Sequence, residues 1–81
     1  MNLQEALNWI ADVFEENPEN IQPDTPRNKI VTWDSLGVLT LMAKMDEDFG
    51  IIISEDDLQN LKAVQDILDL LKKNKKLDEG N

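Results

Sequence analysis

Cysteine and histidine are both absent from this chain. Without cysteine there is no disulfide framework and no thiol nucleophile, which fits a reducing compartment. Without histidine no Ser-His or Cys-His catalytic pair can form, and the commonest zinc ligand is missing. No apolar run approaches the ~20 residues that cross a bilayer. The opening Met1-Asn2-Leu3-Gln4-Glu5 has no basic stretch, so no signal peptide and a cytoplasmic location are expected. Basic residues are scarce as well: eight stand against seventeen acids, for a net charge of −9. That balance repels nucleic-acid phosphates and anionic membranes. It favours a basic protein surface as partner, with attraction that weakens in salt.

What is present points to one small folded domain. Eighty-one residues bury only a modest core. The hydrophobic share of 41% is strongly periodic, which argues against the disorder that acidic composition alone could suggest. Leu3, Ala6, Leu7, Ile10, Val13 and Phe14 follow helical spacing and predict a first helix over residues 3–16. Asn2 caps it, with Glu5 as the reciprocal partner, and Trp9 falls half-buried at the edge of the apolar stripe. Asn17-Pro18 is the expected stop.

All three prolines, Pro18, Pro23 and Pro26, lie in the next stretch, residues 17–32, a loop of unusual length for so small a domain. It contains no glycine and so cannot be a glycine-rich phosphate cradle. Ile21, Ile30 and Val31 are the side chains expected to pin it to the helices. A second helix is predicted over residues 35–49, with Gly50 as a left-handed cap. Val38, Leu41, Met42, Met45 and Phe49 form its core face, and Gly37, Thr40, Lys44, Glu47 and Asp48 lie opposite. Leu36, Leu39 and Ala43 make a separate apolar stripe, which suits either a partner surface or packing beneath the loop. Ile51-Ile52-Ile53 is too short for a sheet. Ser54 caps a short helix over residues 55–61, with Asp57 at the capping-box position. Val64, Ile67, Leu68 and Leu71 define the last helix, over residues 63–73. Lys72, Lys73, Lys75 and Lys76 suit its C-terminal end. The domain is expected to occupy residues 1–76, with 77–81 as a frayed tail.

Few constellations carry chemistry. Asp46, Asp48 and Asp57 fall at positions 1, 3 and 12 of a calcium loop, but Ile51 stands where the sharp turn needs glycine. Glu15-Glu16 is a solvated pair with no site to act on. Ser35 is different. It stands at the start of a helix, where backbone N–H groups lack partners and the dipole is positive. From these residues alone the plain reading is that Asp34 or Ser35 caps that helix, although a phosphate attached to Ser35 would also be well placed. With no catalytic partner in the chain, such a serine reads as an attachment point.

The chain resembles the acyl carrier protein family. The likeness rests on Trp33-Asp34-Ser35-Leu36-Gly37, Met45-Asp46-Glu47-Asp48-Phe49-Gly50-Ile51, Ile53-Ser54-Glu55-Asp56-Asp57-Leu58 and Val64-Gln65-Asp66-Ile67, and with the first helix and loop it covers nearly the whole chain. It implies an all-α, four-helix bundle with three main helices, a short third one and a long loop between the first two. It also implies that a phosphopantetheinyl transferase moves 4'-phosphopantetheine from coenzyme A onto Ser35, with Asp34 and Leu36 beside the attachment. The arm's thiol then presents acyl thioesters to synthases, ligases or acyltransferases of fatty-acid, polyketide or other secondary pathways. The carrier itself is no enzyme, holds no metal and acts as a monomer.

Partner contacts are expected from Leu36, Leu39, Ala43, Asp46 and Glu47. Gly37 and Thr40 depart from the acids usual in fatty-acid carriers, Lys44 adds a positive charge to the same helix, and Lys62-Ala63 replaces a frequent threonine. The opening motif is closer to stand-alone specialised carriers. An aminoacyl or peptidyl carrier, and a non-covalent adaptor that binds a basic helix, remain as alternative readings.

Overall fold

Asn2 starts the first helix by accepting the Glu5 N–H on its side chain, at 2.8 Å, while the Glu5 carboxylate accepts the Asn2 N–H at 2.9 Å. In the computed structural model, which describes residues 1–78, this helix, α1, spans Leu3–Val13. It ends three residues before the expected stop at 16. The chain reverses through Glu15, whose φ of 53° is left-handed. The Glu16 N–H reaches back to the Ala11 carbonyl at 2.8 Å and the Glu15 N–H to that of Asp12 at 3.2 Å, a double closure of the helix end. Phe14 turns inward and stacks on Trp33, with ring centroids 5.1 Å apart. The Thr32 hydroxyl donates to the Phe14 carbonyl at 2.6 Å. The helix thus closes at the Glu15 turn, before Pro18 is reached.

The long connection holds two single 3₁₀ turns, Pro18–Asn20 and Arg27–Lys29. Ile21 and Ile30 are buried as expected, but Val31 is 88% exposed, and Trp33, buried to 3%, is the anchor in its place. The connection also closes the start of the last helix. The Val64 and Gln65 N–H groups donate to the Thr25 and Pro23 carbonyls at 2.9 and 2.8 Å, and the Arg27 N–H donates to the Lys62 carbonyl at 2.8 Å. Ala63 offers no side-chain cap. The loop carbonyls and the Asp66 carboxylate, which accepts from the Lys62 and Ala63 N–H groups, do that work instead.

Helix α2 spans Ser35–Phe49 and ends on Gly50 at φ 67°, both as expected. Leu41 and Met45 are fully buried, and Val38, Met42 and Phe49 pack partly against the core. Gly37 is a correction: it is buried, not on the solvent face. A Cβ there would run into the Thr32 carbonyl oxygen. The helical wheel puts Gly37 away from the other helices, but the incoming loop covers it.

Trp9 is half-buried as expected; it packs on Phe49 at 4.9 Å and donates Nε1–H to Asp48 at 2.8 Å, tying α1 to α2. Helix α3 is Glu55–Gln59, capped by the Ser54 hydroxyl accepting the Asp57 N–H at 3.1 Å; it stops before Leu61, which is buried beyond its end. Helix α4 is Val64–Lys73, with Val64, Ile67, Leu68 and Leu71 in the core.

The expected frayed tail is corrected at its start. Leu77 is buried, the Asp78 N–H donates to the Met1 carbonyl at 2.8 Å, and the Met1 amine donates to the Lys76 carbonyl at 2.8 Å. A buried leucine and two hydrogen bonds with Met1 hold this segment where the lysine run suggested only solvent. The rest of that expected tail, residues 79–81, lies outside the described residues. The described residues form four helices and no strand, an all-α bundle with one isolated bridge between Pro26 and Ala63.

Candidate functional site

The N-terminal end of α2 is assembled from three contributions of sequence. Asp34 adopts an extended backbone, φ −109° and ψ −162°, and its carboxylate accepts the Gly37 N–H at 3.0 Å. This is the capping geometry expected of an aspartate. Its own carbonyl accepts the Val38 N–H at 2.9 Å. Gly37, by lacking a side chain, lets the Thr32 carbonyl lie against the first turn. The cap role therefore falls to Asp34, and Ser35 becomes the first residue of the helix, exposed and with its hydroxyl free of partners among the described residues. The Ser35 and Leu36 N–H groups precede the helical ladder and are the unpaired donors of the helix start.

Ser35 lines a shallow groove of about 490 Å³ together with Arg27, Val38, Leu39, Leu58 and Gln59. Val38, Leu39 and Leu58 make its apolar part, and Arg27 is its one charged residue. Leu36, on the other side of the helix start, lines a separate hollow with Val13, Phe14, Glu15, Thr32, Asp34, Gly37 and Thr40. Leu36 and Leu39 are 74% and 61% exposed, and Ala43, Asp46 and Glu47 are exposed further along. At 1.5 Å per residue, Asp46 stands about 16 Å from Ser35 along the axis. The expected partner residues thus share one exposed helix, but only Leu36 and Leu39 border the serine. Thr40 spends its hydroxyl on the Leu36 carbonyl, at 3.0 Å.

Residues 4–71 match the family model described as "Phosphopantetheine attachment site". The chain is also similar to an acyl carrier protein of Thermosynechococcus vestitus, 32% identical over 85% of either chain. One from Syntrophus aciditrophicus is 32% identical over 89% of this chain and 91% of its own. One from Myxococcus xanthus is 26% identical over 84% and 91%. The chain belongs to the acyl carrier protein family. No solved structure matches it significantly. Carriers of this family bear a covalently attached 4'-phosphopantetheine and carry rather than catalyse.

The residues of this carrier fit that group: a free primary hydroxyl at the first helical position, two unpaired backbone donors beside it, and no carboxylate hydrogen-bonded to it among the described residues. Arg27 went unnoticed in the sequence. It sits in a loop, where no periodicity speaks for it; its one signal is that it is the sole arginine of the chain.

Proposed function

We propose that Ser35 carries the phosphopantetheine arm, and that the protein uses it to present acyl thioesters to enzymes of a specialised fatty-acid, polyketide or related secondary pathway in the cytoplasm, working as a monomer. The observation that carries this reading is the exposure of Ser35 at the first position of α2, behind an aspartate cap, inside the matched segment. In the loading step the Ser35 Oγ–phosphorus bond forms as the coenzyme A pyrophosphate link breaks. Adenosine 3',5'-bisphosphate leaves, and the hydroxyl proton goes to a base of the transferase. Asp34 holds the first turn in place, and in this reading it also assists the transferase's metal site. When attached, the arm supplies a terminal thiol for thioester formation.

The docking face for the transferase is Leu36, Leu39 and Ala43, with Asp46 and Glu47 at its far end. Any enzyme that reaches Ser35 must cover Leu36 and Leu39, and their exposure supports this choice. The burial of Gly37 removes one position from which a carboxylate could have served that face. Incubation with a broad phosphopantetheinyl transferase and coenzyme A tests the reading. The intact mass should rise by one arm in the native chain and stay unchanged in Ser35→Ala. A non-covalent adaptor would gain nothing in either form.

A further inference from the structure

We infer that Arg27 clamps the phosphodiester of the arm attached at Ser35; this rests on Ser35 being the attachment residue. Arg27 is the only arginine in a chain of net charge −9. No acid among the described residues takes it as a hydrogen-bond partner; there its side chain makes one hydrogen bond, from Nε to the Trp33 carbonyl at 3.1 Å. Its Cζ lies 5.7 Å from the centroid of the Trp33 ring. Its backbone is tied down by the N–H bond to the Lys62 carbonyl, just after Pro26. Arg27 is half-buried, its guanidinium is held by the Trp33 carbonyl and faces the Trp33 ring, and its two Nη groups have no hydrogen-bond partner among the described residues. A flexible, solvated lysine would not be held this way.

The anchor also sets where those donors are. Trp33 and Ser35 are two residues apart, so their Cα atoms are separated by no more than about 7.6 Å. Arg27 and Ser35 line the same groove. A guanidinium whose Nε is occupied still offers the paired Nη–H groups that match two oxygens of a phosphate. The Ser35 and Leu36 N–H groups offer donors from the helix start. A phosphodiester on Ser35 would thus meet positive charge from the helix on one side and from Arg27 on the other. With that contact, the arm would begin its path over Val38, Leu39 and Leu58 rather than away from the protein.

Because the arginine is unique, it gives one Nε–Hε resonance that needs no assignment, and the loaded protein gives one phosphodiester ³¹P resonance. The native chain is loaded with transferase and coenzyme A, and the mass is checked first. On loading, the Arg27 Nη–H signals should shift and sharpen as rotation slows, and this should fade at about 0.5 M salt, where charges are screened within a few ångströms. In loaded Arg27→Gln the ³¹P resonance should move to that of a phosphopantetheinylated peptide, with Arg27→Lys between the two. A loaded native protein whose arginine signals match the unloaded form, or a ³¹P resonance identical in Arg27→Gln, overturns the clamp while leaving the attachment intact. A native chain that gains no mass overturns the attachment reading, and the clamp with it. Should Arg27→Gln fail to fold, the native arginine signals decide alone.

Discussion

Gly37 shows how one residue can serve packing where sequence suggests a surface. Its missing side chain is what lets the Thr32 carbonyl lie on the first turn of α2, beside the Thr32–Phe14 hydrogen bond. Gly37→Ala puts a methyl against backbone rather than against a side chain that could swing away. We expect a loss of about 2 kcal/mol or more, near the upper range for overpacking, read by denaturant unfolding; an unchanged midpoint would mean the loop yields freely. Leu39 is the opposite case. It is 61% exposed on the rim of the serine's groove. Leu39→Ala should change stability by less than about 0.5 kcal/mol and weaken transferase docking by about 1 kcal/mol or more. Thermal melts beside arm-transfer kinetics separate the two effects. A large stability loss would place Leu39 in the core and remove it from the docking face.

Among the elements, helix ends with side-chain punctuation are legible from sequence, and the tertiary contacts that close α1 and the start of α4 are not, although the span of α4 itself is. Helix α2 was readable to the residue, since Asp34 opens it and Gly50 closes it by the chemistry those residue types favour. The position of Ser35 at the first residue of that helix came with it. The apolar pattern carries α1 to residue 16, but the helix ends at Val13 and turns at Glu15, a residue type that does not announce a left-handed turn. Helix α4 has no capping residue at Ala63, and the loop carbonyls that replace one come from forty residues earlier in sequence, beyond the reach of local pattern. Arg27 was illegible for the same reason: its meaning comes from Trp33 and the groove. The Glu15 turn itself yields a test. A non-glycine residue pays about 1–2 kcal/mol in left-handed backbone, and an acid at a helix C-terminus opposes the dipole. Against the extra unfolded-state entropy of glycine, Glu15→Gly should still raise stability by about 0.5–1 kcal/mol. A lower melting temperature would mean the Glu15 side chain makes a contribution that its exposure hides.

At the scale of the whole molecule, charge works against compactness. No lysine or arginine pairs with a carboxylate within 4.0 Å among the described residues, so seventeen acids and eight bases leave the surface repulsion largely uncompensated. Screening should relieve it. Raising the salt, or adding millimolar divalent cation, should stabilise the fold by about 1 kcal/mol, which in a domain of this size is about 4–8 °C in melting temperature. A flat or falling response would show that the acids are already compensated.

The attachment of the arm to Ser35 can be located directly. Tryptic cleavage after Lys29 and Lys44 releases one peptide, residues 30–44, that holds Ser35 with Thr32 and Thr40 as its only other hydroxyls. After loading from coenzyme A, tandem mass spectrometry of that peptide should place a single arm on Ser35, and Ser35→Ala should leave every peptide unmodified. Since Asp34 and not Ser35 caps α2, the alanine variant should fold with a stability loss below about 1 kcal/mol. An arm found on Thr32, Thr40 or Ser54, or a mass gain that survives in a folded Ser35→Ala protein, would contradict the assignment.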